Sequence, residues 1–84
     1  MIEISKHAHR QWRRRSDAPG LDPRLAWDLG VALDNSADFD EARYHRQSET
    51  VLFRRATTLV TVYDARDVTA DLRATINDCR REPA

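Results

Sequence analysis

"TVLFRRATTLVTVYDA", residues 50–65, is rich in Val, Thr, Phe and Tyr, side chains that suit a pleated, half-buried surface. The run is long for one strand, so it reads as two, about 50–55 and 58–63, joined at Ala56-Thr57. The joint carries neither Gly nor Asn, the residues such a turn usually takes. A hairpin needs further strands to stand in water, and the chain offers two. "ARYHRQ" (42–47) reads as a strand with Tyr44 and Arg46 facing one way and Arg43, His45 and Gln47 the other. "MIEIS" at the start alternates apolar and polar residues and reads as a short first strand, with Ile2 and Ile4 on one face.

Helical patterns fill most of the remainder. Ser5 can cap a helix over Lys6–Arg15 whose narrow apolar stripe is Ala8 and Trp12, adjoined by Gln11 and Arg15. "SDAPGLDP" (16–23) marks a loop ending in an Asp22 cap and a proline at the first helical position. The second helix is expected from Pro23 to about Leu33, with Leu25, Leu29, Ala32 and Leu33 on one side and Trp27 and Val31 flanking. "DNSADFDEA" (34–42) reads as an exposed acidic loop. Val68, Leu72, Ile76 and Cys79 recur at helical spacing, which predicts a last helix over about 67–81 with Arg80 and Arg81 at its favourable end. The order β-α-α-β-β-β-α gives an α+β class: one domain over 1–84, a small antiparallel sheet with helices on one face and the other face open.

Composition narrows the function classes. With 40% hydrophobic and 33% charged residues the chain is neither disordered nor membrane-like, and no apolar run approaches a span of about 20 residues. There is no apolar signal core, so a cytoplasmic protein is expected. Cys79 stands alone and reads as a small buried side chain, with redox or nucleophilic chemistry as the sharper alternative. His7 and His9 diverge on a helix and no Cys/His set has zinc spacing, so neither metal nor cofactor is expected. Net charge is zero but unevenly spread: residues 1–15 carry +4, 16–41 carry −6, and 42–63 carry +3. If the fold joins the two basic segments they make one positive surface. Arg10, Arg13 and Arg14 read either as a solvated helix face or as phosphate contacts, and His7 either as a ring bonded back to its own chain or as a ligand contact. Any nucleic-acid binding by such a patch is salt-sensitive and independent of sequence. Trp12 and Trp27 read as core, and Arg15, beside the stripe, as a partner for an acid such as Asp28.

The element order together with "ISKHAHRQWRRR" (4–15) resembles the RelE/BrnT-like superfamily of ribonuclease toxins and their relatives. There a first strand runs into a helix with His-Ala, then an aromatic or Arg, then a closing Arg; here these are His7-Ala8, Trp12 and Arg15. "RYHRQ" and "LVTVYD" look like the central strands of that family, and the likeness covers residues 1 to about 64. It implies metal-independent RNA cleavage by attack of the ribose 2′-hydroxyl, on free RNA or at the ribosome, and an antitoxin-like protein or a second copy as partner. The family sets Arg, His, Lys or Tyr on the open sheet face. Packing Tyr44, Val51, Phe53, Val60 and Val62 against the helices leaves His45, Arg54, Thr61 and Tyr63 outward. His45 is then the acid or base, Arg54 the phosphate contact, and Tyr63 a stacking or proton-donating group, with His7, Arg10, Arg13 and Arg14 binding the nucleic acid. The neutral net charge keeps a non-catalytic protein-interaction or nucleic-acid-binding module, dimeric or not, as the alternative.

Overall fold

The computed structural model describes residues 2–33, 39–68, 73–74 and 76. Strand β1 (Glu3–Ile4) leads into helix α1 (Lys6–Arg15), helix α2 (Pro23–Leu29) and strands β2 (Val31–Leu33), β3 (Glu41–His45), β4 (Thr50–Arg55) and β5 (Thr58–Asp64), then a 3-10 turn, Ala65–Asp67. The class is α+β, as the sequence reads. Most of the helix expected over 67–81, Cys79 included, and residues 34–38 of the acidic loop lie outside the described residues.

Local chemistry explains the helix boundaries. Ser5 Oγ accepts the Ala8 amide at 3.0 Å and three arginines occupy the last turn of α1, where positive charge meets unpaired carbonyls. Asp22 caps α2 through the Arg24 amide at 2.9 Å, and Pro23 takes the first turn. Helix α2 stops at Leu29, four residues short of the expected end. At Gly30 a Cβ would lie 3.0 Å from Arg43 Cβ and 3.1 Å from the Ala26 carbonyl oxygen, so a side chain there would have to push β3 or α2 back by a few tenths of an ångström. Val31–Leu33 then pair with β3, which satisfies their backbone as a helix would have.

The sheet runs β1-β5-β4-β3-β2. The expected all-antiparallel sheet is corrected to a mixed one, because β1 pairs parallel with β5 through Glu3–Thr58 and Ile4–Leu59. A strand that reaches its partner from the far end of the sequence is not bound to hairpin polarity. The β4–β5 hairpin closes over Ala56-Thr57, with Arg55 opposite Thr58, where the sequence places the joint. Ala56 adopts φ +54°, the conformation that Gly or Asn would normally supply.

Register assigns the faces. Arg43, Leu52 and Val62 form one cross-strand row beneath α1 and α2, where Leu52 and Val62 pack with Ala8, Trp12, Ala26, Trp27 and Leu59. Both tryptophans are core, and the Trp12 indole donates to the Leu21 carbonyl at 2.9 Å. Tyr44, Val51 and Phe53 belong to the opposite face, packed with Leu33, Ala65, Val68 and Ile76. The face assignment read from the sequence is therefore reversed for Tyr44, Val51 and Phe53 and holds for Val62. Val51, Leu52 and Phe53 are all buried, so alternation carries no signal in β4. Nor is the second face open where Ile76, itself buried, covers it.

The two backbone positions respond to substitution with opposite sign. Ala56→Gly relieves a left-handed alanine and is expected to raise stability by about 0.5–1 kcal/mol. Gly30→Ala forces β3 and α2 apart and lowers it; urea midpoints moving the same way for both would contradict this account.

Candidate nucleic-acid interface

Helix α1 turns Ala8 and Trp12 inward, which leaves Lys6, His7, His9, Arg10, Arg13 and Arg14 exposed. Among the described residues Lys6, Arg10, Arg13 and Arg14 have no carboxylate partner; the ion pairs fall on Arg24, Arg43, Arg54 and Arg66. The helix thus presents cations that only solvent and counterions balance, the condition under which phosphate binding gains from counterion release.

Arg15 behaves differently. Strand β1 covers β5 only at Thr58 and Leu59, so the β5 edge beyond is free for a side chain to reach. Arg15 Nη1 donates to the Val62 carbonyl at 3.3 Å, and its guanidinium carbon lies 5.0 Å from the centre of the Tyr63 ring. The expected pairing with Asp28 is replaced by this contact, at the end of α1 where the sheet edge is within reach. Tyr63 is 40% exposed. Its ring meets Phe53 edge-on at 5.4 Å, Phe53 meets Phe39 at 4.7 Å, and the Arg55 guanidinium lies 5.2 Å from Phe39. An Arg–Tyr–Phe–Phe–Arg row therefore crosses the second face, contiguous with α1 through Arg15.

Arg54 and His45 stand elsewhere. Arg54 lies opposite Glu41 on the helix-bearing face and bonds its carboxylate at 3.2 Å; Arg43 holds the other oxygen at 2.6 Å. Arg43 also stacks over Trp27 at 4.2 Å and donates to the Trp27 carbonyl. The hydrogen bond from Arg43, reinforced by Arg54, holds the Glu41 carboxyl below its ordinary range. Arg54 thus shares a carboxylate with Arg43 and is tied by a further bond to the Ala56 carbonyl at the hairpin tip. His45 is 4% exposed at the other end of β3. Its Nδ1 lies 2.6 Å from Ser48 Oγ, which lies 2.7 Å from Thr50 Oγ1, a polar chain closed off by the β3–β4 turn.

His45, Arg54 and Tyr63 therefore do not share an open face. His45 and Arg54 lie on the helix side at opposite ends of the strands, Thr61 is buried, and Tyr63 is on the second face. Sequence reasoning missed three residues here: Arg15 as the neighbour of Tyr63, and Glu41 and Arg43 as the partners of this cluster. Glu41 and Arg43 are two apart on one strand face, which is legible; that Arg54 stands opposite them depends on strand pairing. Among the described residues no group of three His, Cys, Asp or Glu side chains could hold a metal ion, and no helix is long and apolar enough to cross a membrane.

Burial of His45 has a consequence for stability. Desolvation lowers its affinity for a proton below the ordinary value near 6.5, so below that pH the unfolded chain takes up the proton first. Stability is full above about pH 6.5 and declines as pH falls through the lowered folded value. Urea unfolding between pH 8 and 5 should show this decline in the wild type and a flatter profile in His45→Gln; parallel profiles would exclude His45 as its source.

A family profile described as "Putative RelE superfamily toxin domain" matches residues 4–66, which hold α1, α2, the whole hairpin and the Arg15–Tyr63 contact. No curated protein and no solved structure matches the chain. With three quarters of its length under that profile, the chain belongs to the RelE-superfamily toxin-domain family.

Proposed function

We propose that this toxin-family domain acts on RNA in the cytoplasm as a metal-independent endoribonuclease whose contact surface runs from the arginine face of α1, through Arg15, to Tyr63. The observation that carries the reading is the contrast in charge pairing: the sheet arginines Arg43 and Arg54 share the Glu41 carboxylate, whereas Arg10, Arg13 and Arg14 have no carboxylate partner among the described residues. Unpaired guanidinium groups beside a half-exposed aromatic ring suit a single strand, with phosphates on the helix and a base or ribose near Tyr63. In the cleavage step the 2′-oxygen attacks phosphorus and its proton passes to water. The bond to the 5′-oxygen breaks, leaving a 2′,3′-cyclic phosphate and a 5′-hydroxyl. Tyr63 donates a proton to the departing oxygen, and Arg15 opposes the charge that builds on the phosphate. The nucleophile comes from the substrate and the countercharge from a guanidinium, so the chemistry requires no metal.

A second reading, a non-catalytic RNA-binding module, is favoured by the burial of His45 and the engagement of Arg54 by Glu41, which leave no assembled acid–base pair on the strands. One experiment separates the two. Arg13→Ala/Arg14→Ala is expected to weaken binding of a labelled RNA and to lower the slope of log K against log salt by about 1.4, roughly 0.7 for each phosphate left without its arginine. Tyr63→Phe should leave affinity within threefold and slow cleavage of naked or ribosome-bound RNA about a hundredfold or more. Binding with no cleavage by the wild type selects the second reading. Binding indifferent to both salt and the arginine substitutions overturns both.

A further inference from the structure

Two carboxylates flank the Arg15–Tyr63 contact in the chain, and neither forms an ion pair with Arg15. Asp17 follows Arg15 by two residues; Asp64 follows Tyr63 and feels the charge of Arg15. Both are held instead by Arg66, in the 3-10 turn after β5. Its Nη2 donates to Asp17 Oδ1 at 2.9 Å and to Asp64 Oδ2 at 3.1 Å, and its Nε donates to Asp64 Oδ1 at 2.9 Å. Arg66 is exposed, and exposed ion pairs add little to stability, so the arrangement calls for another consequence.

The backbone pins both acids in place. The Asp17 amide donates to the Ser48 carbonyl at 2.9 Å and the Ala65 amide to the Glu49 carbonyl at 2.8 Å. The segments that carry Asp17 and Asp64 therefore hang from adjacent residues of the β3–β4 turn, and Asp64 is further fixed as the partner of Thr50 at the end of β5. Without the Arg66 side chain the two carboxylates would stay where they are and lose their counter-ion. Among the described residues Arg73 pairs with no carboxylate and donates to the Arg66 carbonyl at 2.8 Å. Arg15, by contrast, is lightly held, by one 3.3 Å bond to an uncharged carbonyl and by a ring. A carboxylate makes a stronger, charge-assisted bond to a guanidinium than either of these.

We propose that Arg66 is a positioning residue for the RNA surface: by occupying Asp64 and Asp17 it keeps them from capturing Arg15, which stays over Tyr63 with its charge available to a phosphate. Arg66 acts through Arg15 and does not touch the RNA. The effect on RNA rests on the function proposed above, whereas the effect on Arg15 does not.

The test compares the full-length wild type with Arg66→Gln, Arg66→Lys and the double variant Arg66→Gln/Asp64→Asn. Asparagine keeps the oxygen that accepts the residue 66 amide, so the turn retains its cap, and the double variant has the wild-type net charge. In the free protein, NMR of the Arg15 side chain reads its place over Tyr63. Its ring-current shift is expected to vanish in Arg66→Gln, to return in the double variant and to persist in Arg66→Lys. With a labelled single-stranded RNA, Arg66→Gln should weaken binding about tenfold and lower the slope of log K against log salt by about 0.7, the loss of one phosphate contact, and the double variant should restore both. An Arg15 signal that Arg66→Gln leaves unmoved, or that Asp64→Asn does not restore, overturns the proposal. So does an Arg66→Lys variant that behaves as Arg66→Gln, or a loss of fold in Arg66→Gln that the double variant does not repair, which would make the ion pairs structural. If the wild type binds no RNA, the RNA reading fails and the Arg15 signal alone decides whether Arg66 holds that side chain in place.

Discussion

Strand β4 is hydrogen-bonded on both sides and buried on both faces, and most of the fold follows from that constraint. Val51, Leu52 and Phe53 are buried in succession, so each face of the sheet needs its own cover. Leu52 requires α1 and α2; Val51 and Phe53 require Ala65, Val68 and Ile76. Burying a side chain of this size contributes on the order of 1.5–3 kcal/mol, a large share of what a small domain can spare. The residues past Asp64 are therefore part of the packing of the second face.

The same register sorts the arginines. On the helix-bearing face of β3 and β4, Arg43 meets Glu41 along its own strand and Trp27 above, Arg54 meets Glu41 across the strands, and both become structural. Those on the outward face of α1 have no carboxylate within reach among the described residues. A neutral chain thus carries a local positive field on α1, because the described acids of residues 16–41 lie outside that helix: Asp17 and Asp22 before α2, Asp28 in it, and Asp40 and Glu41 at the start of β3. Arg15 stands between the two classes: its guanidinium is held by a carbonyl and a ring at the edge of the second face, and its charge is felt by the Asp64 carboxylate without a direct ion pair.

Much of the architecture was legible from residue order. The Ala56-Thr57 joint, both helix starts and the burial of Trp12 and Trp27 follow from β-propensity, capping residues and i, i+4 spacing, which are local properties. The end of α2 was less legible, because Leu29, Ala32 and Leu33 continue a helical pattern that the close passage of β3 at Gly30 overrules. The site was the least legible part. His45 looked outward-facing because its neighbours alternate, yet alternation states only that neighbouring side chains oppose each other and not which of them faces water.

The sequence by itself therefore determined β1, both helix starts, the three later strands, their order and the uneven distribution of charge, since each depends on residues within a few positions of one another. Only the tertiary structure decided which face of the hairpin the helices cover, that β1 joins β5 in parallel, that His45 is sealed beneath its turn and that Arg15 reaches Tyr63. Those outcomes depend on the register between segments far apart in the chain, and in a strand buried on both faces a one-residue change of register exchanges two apolar sets that composition cannot tell apart.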